Sequence, residues 1–232
     1  MEEITTDLVT DLYREHRADL ARVRHEQLRL RRDDPAMKAQ LDDIEAEITY
    51  LLLRHARPET VVEIGTFHGW STTWILRALR DNDRGQLHSF DLLDEVRRHV
   101  PAELAAERWS FTQGDARGMD RDLIRRADHL FLDADHGRRF ARWYVVHLFP
   151  EVRAGVPVSV HDVFHGWRAK PFSEGSVVLR WLDERGIPFF TTARRKAPDV
   201  QQRLIALKDE LGLGEPVRVS PTNPMIFFRM GS

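Results

Sequence analysis

Apolar positions along the chain follow two different rhythms. From residue 5 to about 57 they recur at helical spacing and read as two helices. Leu8, Leu12, Leu20 and Val23 form a weak stripe on the first, and Met37, Leu41, Ile44, Ile48 and Leu51 a clear one on the second. Asp34 reads as the N-cap of that second helix, Pro35 as its first residue and Pro58 as the end of the pair. From Thr60 onward short apolar runs, the size of buried strands, alternate with helical stretches. The strands are expected at 60–65, 86–90, 108–112, 128–133, 156–161, 187–192 and 225–229, and the helices at 70–80, 95–106, 119–126, 138–149, 173–185 and 199–211. This alternation implies right-handed βαβ crossovers. The expected fold is therefore α/β, a doubly wound, seven-stranded, mostly parallel sheet. Residues 1–57 form a helical extension, read as a lid or a homodimer contact, and residues 58–232 the main domain.

Composition narrows the class. A hydrophobic fraction of 42% over 232 residues supports a sizeable core, and a formal net charge of −2 argues against nucleic acid or a membrane surface as partner. The absence of cysteine removes disulfides, thiolate chemistry and cysteine-based zinc sites. No apolar run reaches the ~20 residues needed to span a bilayer, and no secretory signal is visible, so the chain reads as soluble and cytoplasmic.

The richest stretch is Thr60-Val61-Val62-Glu63-Ile64-Gly65-Thr66-Phe67-His68-Gly69. A strand ends in an acid and a glycine, and a second glycine precedes the next helix. The dinucleotide fingerprint G-x-G-x-x-G has different spacing and places its acid later. In an open α/β sheet a ligand sits beyond the carboxyl ends of the strands. The second strand ends in Asp91, which can accept both hydroxyls of a ribose. The third runs into Gly114-Asp115-Ala116, where an acid and a free N–H can pair with an adenine edge. Three such ends in order suit a ligand with an amino-acid part, a ribose and a base.

The E-x-G-x-x-x-G pattern resembles motif I of the class I S-adenosylmethionine-dependent methyltransferases, and the resemblance spans residues 58–230. It implies that Glu63, Gly65, Thr66, Phe67, Gly69, Ser71, Asp91, Asp115, Ala116 and Asp133 bind S-adenosylmethionine, with Glu63 anchoring either the turn or the cofactor's amino group. It also implies that the last strand is antiparallel. The fourth strand runs into Asp133-Ala134-Asp135-His136 and the fifth into His161-Asp162; Asp133 and Asp162 lie 29 residues apart, one strand–helix–strand unit. This set resembles the catechol-type and macrolide-sugar O-methyltransferases. There, acids at these positions hold a divalent metal that chelates the acceptor, and the histidine three residues on is the general base in the macrolide-sugar branch. The resemblance makes Asp133, His136 and His161 the catalytic candidates, with His136 as base, and Asp133, His161 and Asp162 the metal candidates. One departure matters: metal-binding members usually carry an acid where His161 stands. Magnesium prefers oxygen ligands, so a histidine there points to manganese or iron, or to no metal.

The expected activity is methyl transfer to a small-molecule hydroxyl, in the manner of natural-product tailoring. Two rivals are a metal-free N- or C-methyltransferase and a cofactor-binding module without turnover. His165, Trp167 and Arg168 follow the fifth strand in a loop that can border the acceptor. Phe140, Trp143, Tyr144 and Phe149 read as core packing by their spacing, and His68 as a residue within reach of ligand.

Overall fold

The computed structural model describes residues 3–164, 166–222 and 224–231. His165 lies outside these. Three helices open the chain: α1 (Thr6–Glu15), α2 (Arg17–Asp33) and α3 (Asp43–Ala56). The expectation of two helices, the second capped by Asp34, is corrected. Asp42 is the cap: its carboxylate accepts from the Ile44 N–H at 3.1 Å, and Glu45 reaches back to the Asp42 N–H at 3.2 Å. This reciprocal box satisfies two of the donors that a helix start leaves open. Asp34 instead pairs with His99 Nδ1 at 2.6 Å. Met37 and Leu41 therefore belong to the connecting segment, although both are buried.

The remaining elements are β1 (Thr60–Ile64), α4 (Trp70–Asp81), β2 (Gln86–Asp91), α5 (Val96–His99), α6 (Ala102–Ala105), β3 (Trp109–Gln113), α7 (Arg121–Arg126), β4 (His129–Leu132), α8 (Arg138–Trp143), β5 (Pro157–Val160), α9 (Glu174–Glu184), β6 (Phe189–Thr191), α10 (Pro198–Glu210) and β7 (Ile226–Arg229). The single helix expected over 95–106 is two short ones, because Pro101 has no N–H to continue a helix. Past Trp143, α8 widens into a π turn over Tyr144–Leu148.

The strands form one sheet in the order β3-β2-β1-β4-β5-β7-β6. The pairs from β3 to β5 are parallel, and β7 runs antiparallel to both β5 and β6. Successive strand residues face opposite sides. Val61, Leu87, Phe131 and Phe227 enter one core with α1–α4 and α10; Val62, Leu130, Leu132, Val158 and Phe228 enter the other with α7–α9. The N-terminal helices thus share a core with the sheet. Because the order reverses at β1 and β4, the loops after these two strands part and leave a crevice between them.

Candidate functional site

Gly65 shapes the crevice. Its φ is +89°, and a Cβ built on it would lie 2.0 Å from the Asp133 carbonyl oxygen. The exit of β1 therefore lies directly on the exit of β4, and the Asp133 N–H donates to the Ile64 carbonyl at 2.9 Å. Gly69, at φ +86°, starts α4 with its Cα against Val96 and Val100. Between the glycines the loop is held by Asp91. One of its oxygens accepts from the Thr66 N–H at 2.7 Å and the Phe67 N–H at 2.9 Å, while the other accepts from the Leu93 N–H at 3.1 Å.

Glu63 supports the loop from behind. It is fully buried and accepts from Ser71 Oγ at 2.6 Å, Thr72 Oγ1 at 2.8 Å and Ser89 Oγ at 2.6 Å. Of its two alternative roles it fills the anchoring one, and Ser71 shares it. Burial pushes the Glu63 carboxyl up to about 7, against the pull of its three hydroxyl donors. The folded chain thus holds a proton that the unfolded chain releases, and this group makes the fold lose stability as pH climbs towards 7. Glu63→Gln removes the titration. Its unfolding free energy relative to wild type is expected to rise by about 3 kcal/mol between pH values of about 4.5 and 7, measured by denaturant unfolding at both ends of the range.

A pocket of about 360 Å³ opens over the ends of β1, β2 and β4. Six of the residues expected at the cofactor line it: Gly65, Phe67, Asp91, Asp115, Ala116 and Asp133. Glu63, Thr66, Gly69 and Ser71 do not; they lie behind the loop wall. Asp115 is gripped by Arg117 at 2.5 Å, and this hydrogen bond holds its carboxyl below the usual range. The sequence reading missed Leu92, Leu93, Ala134 and Phe140, which also line it. Leu92 and Leu93 are 66% and 59% exposed, so they give the pocket a bare apolar wall. Two leucines directly after a strand-end acid were the available signal. Phe140, expected in the core, is half-buried at the pocket edge. His68 does not line the pocket; it stacks on His99 with ring centroids 4.6 Å apart.

Beside the pocket, β4 and β5 bring their terminal residues together. His161 Nδ1 lies 3.1 Å from Asp133 and 3.5 Å from Asp162. His136 Nε2 lies 3.0 Å from Asp162 and 3.8 Å from Asp133, and its Nδ1 lies 3.2 Å from Glu174 on α9. Glu45, from α3, stands 3.6 Å from His161 Nε2. Asp162 holds φ at +56°, an unfavourable conformation for a residue with a Cβ, and such strain persists where surroundings enforce it. Burial opposes charge on both rings. The acids outweigh it: Glu174, Asp162 and Asp133 raise the proton affinity of His136, and Asp133 and Glu45 raise that of His161. Glu174 and Glu45 went unforeseen, since nothing in local spacing links them to strand ends.

The candidate metal ligands Asp133, His161 and Asp162 come together at the ends of β4 and β5. His161 Nδ1 lies within hydrogen-bond distance of Asp133. Among the described residues no group of three or more His, Asp or Glu side chains gathers as a metal-binding cluster.

Comparison with known proteins fits this geometry. Residues 62–163 match the family model described as a methyltransferase domain. No curated protein matches the chain. Among solved structures, the fold is similar to the O-methyltransferase TomG from Streptomyces achromogenes, involved in tomaymycin synthesis and solved in complex with SAM: 16% identity, 90% of each chain covered, TM-score 0.56. It is also similar to cofactor-bound Rv0187 from MTB, at 16% identity, 90% and 89% covered and TM-score 0.58. A third is the O-methyltransferase from Bacillus cereus in complex with SAH, at 13% identity, 92% and 90% covered and TM-score 0.55. At these identities the structures speak for the fold. Residues 62–163 thus carry a methyltransferase domain, and with this strand order and the motif on its first turn the chain has the fold of the class I S-adenosylmethionine-dependent methyltransferases.

Proposed function

We propose that the chain moves a methyl group from S-adenosylmethionine to a hydroxyl oxygen of a small-molecule acceptor, and that His136 takes the hydroxyl proton. The observation that carries this reading is the position of Asp133. It lines the pocket and also lies 3.1 Å from His161 and 3.8 Å from His136, so cofactor and acid–histidine cluster share a wall. In this reading Asp91 faces the ribose, Asp115 and the Ala116 N–H face the adenine, and Leu92 and Leu93 cover its plane. The acceptor enters at His136, whose side chain is 43% exposed.

Methyl transfer to a neutral hydroxyl leaves a proton to be placed. As the sulfonium loses its charge, His136 gains one, and the surrounding carboxylates stabilise it there. Glu174 orients Nδ1, and Nε2 turns from its contact with Asp162 to the acceptor hydroxyl as it takes the proton. In-line geometry between sulfonium and oxygen supplies much of the remaining rate. The N-terminal segment joins this site through Glu45, so residues 1–57 are read as part of the acceptor wall. A natural-product acceptor fits the resemblance to tailoring enzymes and the fold shared with TomG.

Isothermal titration with S-adenosylmethionine and S-adenosylhomocysteine is the first test, and saturable binding of both is expected. Asp91→Ala removes the acceptor for the Thr66 and Phe67 N–H groups together with the candidate ribose contact. It is expected to weaken both ligands about 100-fold, as losing two or three charge-assisted hydrogen bonds implies. Absence of binding to the wild-type chain would overturn the whole reading.

A further inference from the structure

The groove between α8 and α9, outside the cofactor pocket, gathers arginines along an apolar trough. It encloses about 640 Å³ and is lined by Arg138, Arg142, Arg180 and Arg185, with Glu184 the acid among its lining residues. Several arginines elsewhere meet carboxylates: Arg22, Arg77 and Arg80 all contact Glu26, and Arg125 contacts both Glu151 and Asp122. In the groove Arg138 instead lies 5.4 Å over the Phe172 ring, and Arg185 lies 4.7 Å over Trp181 and 3.8 Å from Glu184. Among the described residues no carboxylate pairs with Arg138, Arg142 or Arg180.

The groove is also apolar. Val146 and Phe172 are 59% and 76% exposed, and both line it. From Arg138 to Leu148, α8 and its π turn run about 16 Å, roughly three turns of helix. Unpaired guanidinium groups beside bare apolar side chains, along a trough of that length, call for a ligand both acidic and apolar on one face.

We propose that this groove docks an acidic amphipathic helix of a protein partner. Its apolar ridge rests on Val146 and Phe172, and its carboxylates meet Arg138, Arg142 and Arg180. Arg138 is two residues from His136, and Phe172 two from Glu174, so the docked partner stands beside the acceptor edge. The inference is independent of the transfer chemistry.

The test is fluorescence anisotropy of a labelled helical peptide with glutamates along one side and leucines along the other, added to the full chain. Saturable binding that weakens as salt rises is expected. The double reversal Arg142→Glu with Arg180→Glu should weaken it at least about tenfold. Reversal of Arg97 and Arg98 on α5 should leave it unchanged. Both pairs lie on exposed positions, and circular dichroism checks that the variants stay folded. The proposal falls if the peptide does not bind, if a scrambled peptide binds equally, or if both reversals act alike. It also falls if pyrophosphate binds in the peptide's stead, or if sedimentation shows a dimer that the groove reversal splits, since each outcome assigns the groove to another occupant.

Discussion

Gly65→Ala is expected to abolish S-adenosylmethionine binding and to destabilise the fold. The new methyl group has nowhere to go: its carbon would stand 2.0 Å from the Asp133 carbonyl oxygen, 2.4 Å from the Asp133 carbonyl carbon and 2.7 Å from the Ala134 Cα. All three are backbone atoms, which no rotamer change can move. The φ of +89° adds a conformational cost that glycine alone avoids. Relief requires β4's exit to retreat from β1, against the hydrogen bond from the Asp133 N–H to the Ile64 carbonyl. That movement displaces Asp133 and Ala134, both in the pocket wall. Strain and overpacking together imply a loss of about 3 kcal/mol in stability. Titration is expected to show cofactor affinity reduced more than about 100-fold, since a pocket about 1 Å out of place loses its pre-organised contacts. Gly118→Ala is the control: a Cβ there meets nothing within 4 Å, and near-normal binding is expected. Normal cofactor affinity in Gly65→Ala would mean that the contact of β1 with β4 does not build the pocket.

Much of this arrangement was legible in the sequence because parallel strands advertise themselves. Val61-Val62 and Leu130-Phe131-Leu132 are apolar without a break, as strands buried on both faces must be, and the acids that follow mark their ends. The strand-end residues Asp91, Asp115, Asp133, His136, His161 and Asp162 all stand at one edge of the sheet for that reason. Two kinds of feature were hidden. The start of α3 was misplaced because Asp34-Pro35 and Asp42 are both sound caps, and the choice depends on a partner, His99, that only tertiary contact supplies. Glu45 and Glu174 were hidden because they approach from helices, α3 and α9, and no local period links them to the strand ends. Spacing brings Asp133, His161 and Asp162 together, but it does not show the two further acids that α3 and α9 deliver to the histidines.

His136→Ala is expected to cut transfer about 1,000-fold, within the range for loss of a positioned general base, while S-adenosylmethionine affinity stays near the wild-type value. The separation is expected because His136 is not among the pocket-lining residues. Its ring instead bridges Asp162 at 3.0 Å and Glu174 at 3.2 Å. The measurement is release of S-adenosylhomocysteine across a panel of hydroxylated acceptors, alongside cofactor titration. The pH profile follows from the raised proton affinity of His136. At low pH the ring is charged and cannot accept a proton, so the rate should climb as pH rises through a value above the ordinary histidine range. Stability moves the other way: the ion pairs of His136 contribute fully below the ordinary histidine value and are lost as pH rises through the folded one. Glu174→Gln removes one of the groups that raise this affinity. The climb in rate is then expected at lower pH, with a smaller maximum because a weaker base accepts the proton. A merely structural role for Glu174 would lower the rate without moving the profile. Wild-type transfer by His136→Ala would end its assignment as base and turn attention to Asp162, the other end of the same contact.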